Sequence, residues 1–97
     1  MGLPTVTLYS LSTCSHCKAV KSLLEREEIE ADIIDVDQLN GDTRKAVLET
    51  VRQFNRRLSF PTLVIGEDVV VGYKSDRIKK TLKKNELMQI HPPEKSP

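Results

Sequence analysis

Tryptophan is absent from this chain of 97 residues, and cysteine and histidine occur only twice each. No apolar run approaches the roughly 20 residues of a transmembrane helix, and residues 1–4 lack the basic and apolar regions of a signal peptide. We therefore expect a cytoplasmic protein that does not contact a membrane. The 15 basic and 14 acidic residues nearly cancel, so no basic field indicates a nucleic-acid partner.

The length and the composition limit the chain to one compact core. With 97 residues and 38% hydrophobic content, a second domain would lack the apolar residues for a core of its own. Three of the five prolines lie between residues 92 and 97, in a polar segment. We predict a single domain over residues 1–88 and a disordered tail over residues 89–97.

Both cysteines lie in one tetrapeptide, Cys14-Ser15-His16-Cys17, between an apolar run and a stretch with helical periodicity. Two intervening residues allow the sulfurs to meet across the first turn of a helix. Cys14 then lies where backbone N–H groups lack helical partners and the helix dipole is positive, which favours a thiolate. Cys17, nearly one turn later, faces the interior and can attack a mixed disulfide formed by Cys14. We predict that Cys14 is the nucleophile and Cys17 the resolving thiol.

Three other uses of the cysteine pair are compatible with its spacing. A structural zinc site needs about four ligands, and the chain adds only His16 and His91 to the pair. A structural disulfide across so short a loop would remove little entropy from the unfolded chain. Two inert buried thiols would have apolar neighbours, whereas Ser12, Thr13 and Ser15 make this segment polar. Redox use is therefore favoured, and no metal site is predicted.

The pattern of apolar residues predicts the element order β-α-β-α-β-β-α. Short β-branched or apolar runs indicate strands, and apolar residues at helical intervals indicate helices. The predicted strands cover residues 5–10, 30–35, 62–65 and 69–71, and the predicted helices run from 14 to about 28, from 42 or 43 to about 55, and from 75 or 76 to about 87. Asp42 or Thr43 is the expected cap of the second helix. Parallel strands joined by a crossover, with a hairpin, give an α/β fold with a mixed four-stranded sheet and about three helices.

Two side chains next to the cysteines are candidates for tuning the thiols. A cationic or hydrogen-bonding His16 would stabilise the thiolate, which lowers the pKa of Cys14 below the free value of about 8.5 and makes the disulfide more oxidising. Lys18, one helical turn after Cys14, would add to the same field. Both side chains could instead point into water and do little. Thr13 either caps the first helix or places its hydroxyl next to the nucleophile.

Several motifs occur together over residues 3–84: the element order, a Cys-x-x-Cys after the first strand, a proline that opens the third strand, and a Gly-aromatic-x-x-Asp segment before the last helix. This combination resembles the glutaredoxins, a family within the thioredoxin fold. The resemblance implies the same roles for Cys14 and Cys17. It also implies that a cis bond precedes Pro61, which would turn the backbone of Phe60 toward Cys14 and offer an N–H and a C=O to a thiol substrate.

The segment 71–78 carries further candidate substrate contacts. By resemblance, Gly72 belongs to the binding turn, and Asp76 either fixes backbone N–H groups that receive a substrate carboxylate or caps the last helix. Tyr73 either covers the substrate groove beside Gly72 or packs on the hairpin. Leu11 and Val71 stand where glutathione-using members usually carry a lysine and a glycine. The segment is more similar to that of the NrdH-redoxins, glutaredoxin-like proteins that take electrons from thioredoxin reductase, so the electron donor stays open.

These features predict a dithiol oxidoreductase that reduces protein disulfides or glutathione-mixed disulfides through Cys14 and Cys17. No bound cofactor is expected, glutathione is a candidate co-substrate, and glutathione or thioredoxin reductase is the candidate electron donor. A monomer suits an enzyme whose groove must admit another protein. Two alternatives remain: a carrier of an iron–sulfur cluster or soft metal, held by Cys14 thiolates of two protomers, and a binding module whose dithiol senses oxidants.

Overall fold

The computed structural model describes residues 4–87, so the tail predicted over 89–97 and the boundary at residue 88 lie outside the described residues. The strands are β1 (Val6–Ser10), β2 (Asp32–Asp35), β3 (Thr62–Ile65) and β4 (Asp68–Val71), and the helices are α1 (Ser15–Arg26), α2 (Gly41–Phe54) and α3 (Ser75–Lys84). A short 3₁₀ helix, Val36–Gln38, lies in the connection between β2 and α2. The predicted element order is confirmed.

The four strands form one mixed sheet in the order β2-β1-β3-β4. β1 is parallel to β2 and antiparallel to β3, and β3 and β4 form the predicted hairpin. Gly66 turns this hairpin with a φ of +60°, a conformation that costs glycine little because it has no Cβ. The register pairs Ser10 with Asp35 and Thr62 with both Tyr9 and Val71. As a result, β1, β2 and β4 finish, and β3 starts, at the same end of the sheet.

Helices cover both faces of the sheet. On one face, apolar side chains of α1 and α3 pack against alternate residues of β1, β3 and β4. The buried residues of this cluster are Val6, Leu8, Val20, Leu23, Leu24, Leu63, Ile65, Val70, Ile78 and Leu82. The cluster on the other face is smaller, with Val51 of α2 against Tyr9 and Val64. α1, which carries the cysteines, therefore lies on the face with the larger core, and this packing fixes its position on the sheet.

Two helices end earlier than predicted, for the same physical reason. α1 stops at Arg26 and α3 at Lys84, because Glu28 and Glu86 adopt left-handed conformations with φ of 59° and 61°. The N–H groups of Ile29 and Leu87 then reach back to the carbonyls of Leu24 and Leu82, at 2.9 and 2.8 Å. This arrangement is the Schellman motif, which closes the last turn. Leu87 accordingly packs against the core from beyond the helix.

The predicted caps of the helices are corrected by the structure. Cys14, and not Thr13, is the N-cap of α1, because Cys14 has extended backbone angles and its sulfur accepts the N–H of Cys17. Asn40 precedes α2, so Asp42 lies within its first turn and does not cap it. Asp76 likewise lies in the first turn of α3, where a carboxylate is favourable beside the helix dipole.

Candidate active site

The two thiols meet at the end of the sheet where β1 finishes. Both cysteines are free; Cys14 is half-buried, whereas Cys17 has no exposed surface. The backbone N–H of Cys17 donates to Cys14 Sγ at 3.3 Å, and the backbone N–H of Leu11 donates to Cys17 Sγ at 3.4 Å. The structure thus places one thiol at the surface and the other directly behind it, as the spacing predicted.

The environment of Cys14 favours its thiolate. A hydrogen bond from the Cys17 thiol is the main cause that lowers the pKa of Cys14 below its ordinary value. The backbone N–H groups of Cys17 and His16 and the charge of Lys21 act in the same direction, while partial burial opposes them. The N–H contribution is the expected property of a helix N-terminus, where these donors have no helical partner.

The environment of Cys17 favours its protonated form. The pKa of this thiol is raised to about 11, mainly by burial, and the hydrogen bond to Cys14 and the charge of Cys14 act in the same direction, whereas the Leu11 N–H and the charge of Lys21 oppose the shift. Because the pKa of Cys14 is lowered and that of Cys17 is raised, the first proton that the pair loses is that of Cys14. The first negative charge therefore forms on Cys14, the thiol that an incoming disulfide can reach.

The side chains of His16 and Lys18, the two predicted tuning groups, are not among the groups that shift the pKa of Cys14. Both side chains are exposed, and His16 acts on Cys14 through its backbone N–H. The cation that acts on both thiols is Lys21, which the sequence analysis did not single out. A signal was available in its spacing, because Lys21 follows Cys17 by four residues and Cys14 by seven, on the same helical face.

We expect His16→Phe to leave the pKa of Cys14 close to the wild-type value, because the backbone N–H survives the substitution. The measurement is the rate of alkylation of Cys14 by iodoacetamide as a function of pH. This rate follows the thiolate fraction, so it rises with pH and reaches a plateau above the pKa. In both proteins the midpoint should lie below that of an ordinary cysteine. An upward shift in His16→Phe alone would show that the imidazole contributes.

The loop before Cys14 is tied to the segment after β2. Ser12 donates its backbone N–H to Asp37 Oδ1 at 2.8 Å and its hydroxyl to Asp37 Oδ2, and the Gln38 amide donates to Ser12 Oγ at 3.1 Å. The bonds from Ser12 hold the pKa of the Asp37 carboxyl below its usual range. The backbone N–H of Cys14 closes a turn on Leu11 O at 3.2 Å. These bonds fix the turn that presents the Cys14 thiol.

The segment that leads into β3 contains the cis bond that the resemblance implies. The Phe60–Pro61 bond is cis, and Pro61 O accepts the backbone N–H of Gly72 at 2.9 Å. Gly72 has a φ of +87°, so only glycine fits this conformation easily. Val71 is the last residue of β4, opposite Thr62. The sheet register therefore brings Pro61 and Gly72 to the end of the sheet that carries the thiols.

The other predicted substrate contacts are side chains at the surface. Thr13, Tyr73 and Asp76 are exposed, and 39% of the Tyr73 surface is accessible. A cavity of about 670 Å³, lined in part by Pro4, Ile29 and Leu87, lies at the opposite end of the sheet. Neither cysteine lines this cavity. No group of three or more metal-ligating side chains occurs within residues 4–87, and no helix there has the length and apolar character to span a membrane.

An α/β fold of this order, with a dithiol that begins the helix after β1, defines the class of thioredoxin-fold thiol proteins. Residues 6–70 match the family model named Glutaredoxin, which is more than half of the chain. The chain belongs to the glutaredoxin family, and the resemblance of its motifs is confirmed.

Solved structures agree with this assignment. The chain is similar to the glutaredoxin Grx-1 of Archaeoglobus fulgidus, with 36% identity, a TM-score of 0.79, and coverage of 84% of this chain and 89% of that one. A glutaredoxin of Methanosarcina mazei shares 40% identity with a TM-score of 0.76, over 80% of this chain and 77% of that one. The NrdH-redoxin of Escherichia coli, at 24% identity and a TM-score of 0.65 over 78% and 92% of the two chains, shares the fold.

Proposed function

We propose that the protein reduces protein disulfides or glutathione-mixed disulfides by a dithiol mechanism, with Cys14 as the nucleophile and Cys17 as the resolving thiol. The observation that supports this proposal is the difference in exposure and pKa between the two cysteines. Cys14 is accessible and its pKa is lowered, whereas Cys17 is buried and its pKa is raised to about 11. Family membership supports thiol–disulfide chemistry in general, and the difference between the two thiols supports a separate role for each.

In the first step, the Cys14 thiolate attacks one sulfur of a substrate disulfide. A bond forms between Cys14 Sγ and that sulfur, the substrate S–S bond breaks, and the second substrate sulfur leaves as a thiolate that takes a proton. The substrate segment lies against the backbone of Phe60 and Pro61, with Gly72, Tyr73, Thr13 and Asp76 around it.

In the second step, Cys17 loses its proton and attacks Cys14 Sγ. The mixed disulfide breaks, the second product leaves as a thiol, and Cys14 and Cys17 form an intramolecular disulfide. Cys14 no longer carries a charge at this stage, so the repulsion that opposed ionisation of Cys17 is removed. The Leu11 N–H, 3.4 Å from Cys17 Sγ, stabilises the negative charge that develops there. The substrate has then gained two electrons.

The third step returns two electrons to the disulfide, from glutathione or from thioredoxin reductase. Leu11 offers no cation for a glutathione carboxylate, and Val71 belongs to β4 and leaves Gly72 alone in the turn. The protein acts as a cytoplasmic monomer without a bound cofactor, and glutathione serves at most as a co-substrate. Both donors are compatible with this scheme.

The test is turnover of a small disulfide coupled to NADPH oxidation, in one series with glutathione and glutathione reductase and in another with thioredoxin reductase alone. Cys14→Ser is the blank, and we expect its rate to equal that without protein. Turnover in either series supports the proposal and identifies the donor. The absence of turnover from each of the two series would contradict the proposal and would favour a cluster carrier or an oxidant sensor.

A further inference from the structure

Lys21, Asp35 and Ser10 form a chain of hydrogen bonds beside the dithiol. Lys21 Nζ lies 2.9 Å from Asp35 Oδ1, and the Ser10 hydroxyl donates to the same oxygen. Ser10 has no exposed surface, and the side chains of Lys21 and Asp35 are 27% and 28% exposed. A pair at this depth is screened less by water and salt than an ion pair on the surface.

The elements that position the thiols also position these three hydrogen-bonded side chains. Lys21 lies on the face of α1 that carries both cysteines. The parallel register sets Asp35 opposite Ser10, and Leu11, the first residue after β1, donates its N–H to Cys17 Sγ. Two consecutive residues, Ser10 and Leu11, therefore connect the ion pair with the buried thiol.

We propose that Lys21 stabilises the thiolate of the dithiol through its electric field, and that Asp35, oriented by Ser10, is a positioning residue that holds the Lys21 ammonium group in place and limits its field. A lysine without such a partner extends its flexible stem into water. The carboxylate prevents this but also cancels part of the positive charge. The two members of the pair therefore have opposite effects on the thiols.

The charges around the pair are consistent with this assignment. Hydrogen bonds from Ser10 and Lys21 hold the pKa of Asp35 below its usual range, so the carboxylate is charged at neutral pH. Asp37, from the 3₁₀ helix, is the other anion that acts on Asp35 and opposes this shift. On α1, the remaining cation close to the dithiol is Lys18, which is exposed.

The experiment measures alkylation of Cys14 by iodoacetamide across pH in two variants that break the same ion pair. At about pH 6, where the thiolate fraction limits the rate, Lys21→Gln should lower the rate about threefold. Asp35→Asn keeps an oxygen that accepts the bonds from Ser10 and Lys21 but removes the negative charge, so it should raise the rate. Above the pKa of Cys14, both variants should react at the wild-type rate.

A second measurement is the redox equilibrium of the dithiol in a glutathione buffer. The disulfide should become less oxidising in Lys21→Gln and more oxidising in Asp35→Asn.

Two further variants separate the field of Lys21 from a structural role. Lys21→Arg keeps the charge and should restore the alkylation rate at about pH 6. Lys18→Gln removes the same charge from the same helix and should leave the rate unchanged. If both members of the pair shifted the rate in the same direction, or if Lys18→Gln had the effect of Lys21→Gln, the inference would be wrong.

The inference rests on the proposed role of the dithiol, but its test does not use turnover. Alkylation and redox equilibration report the ionisation and the stability of the thiols directly. If the protein showed no turnover but the alkylation rates of Lys21→Gln and Asp35→Asn still shifted in opposite directions, only the proposed function would be contradicted. If turnover were normal but the alkylation rates of the two variants did not shift, only the role of Lys21 and Asp35 would be contradicted.

Discussion

A Cys17→Ser variant is expected to attack a protein disulfide once and then to remain linked to it. Cys14 keeps its position as N-cap of α1 and its access to substrate, and a serine hydroxyl can still donate a hydrogen bond to the Cys14 sulfur. The second step fails because serine is not a nucleophile for disulfides at neutral pH. Turnover of a protein disulfide should therefore fall by at least about a hundredfold, while the mixed disulfide accumulates in equal amount to the enzyme.

The measurement is reduction of insulin as a model protein disulfide, with the mixed disulfide detected by mass spectrometry under non-reducing conditions. Cys14→Ser is the matched control, since it removes the other sulfur and should form no adduct. Wild-type turnover by Cys17→Ser with insulin would show that an external thiol resolves the intermediate, and the dithiol mechanism would then be rejected. A small mixed disulfide of glutathione is a second substrate, on which an external thiol can replace Cys17.

Much of the fold could be predicted because each element carries its own local signal. The apolar runs at β1 and β3 and the helical spacing of Val20, Leu23 and Leu24 specify these elements without reference to the rest of the chain. The helix ends could not be placed in this way. The charged residues Glu28 and Glu86 take left-handed conformations, and nothing in their chemistry signals this, since such positions usually hold glycine.

In the candidate site, too, the features formed by residues close in sequence could be predicted, and those formed by distant residues could not. Cys14 and Cys17 are neighbours in sequence, so their arrangement follows from one helical turn. Lys21 and Asp35 are brought together only by the parallel pairing of β1 with β2 and by the packing of α1. Sequence spacing identifies which residues share the face of a helix, but it does not show which strand end lies opposite that face.

Asn55 is a second group that only the tertiary structure reveals. It follows α2 and is 8% exposed. Its side-chain amide donates to Ser59 O, Ser59 Oγ and Thr62 Oγ1 at 3.0–3.1 Å, and its side-chain oxygen accepts the N–H of Arg57 at 3.2 Å. The hydroxyl of Thr62, which has no exposed surface, donates to Ser59 O at 2.8 Å. One amide thus organises the loop that leads to Pro61.

Asn55→Ala is therefore expected to destabilise the protein by about 3 kcal/mol, since it removes several hydrogen bonds and leaves buried partners unsatisfied. The measurement is the midpoint of urea unfolding, with Gln53→Ala, an exposed position at the end of the same helix, as the control that should stay near wild type. Because Asn55 makes no bond to the thiols, alkylation of Cys14 should be unchanged in the folded variant. Disulfide turnover should fall nevertheless, since the loop that carries Phe60 and Pro61 loses its support. Unfolding at the midpoint of Gln53→Ala would show that the loop is held by β3 alone, and slower alkylation would show that the effect of Asn55 extends to the dithiol itself.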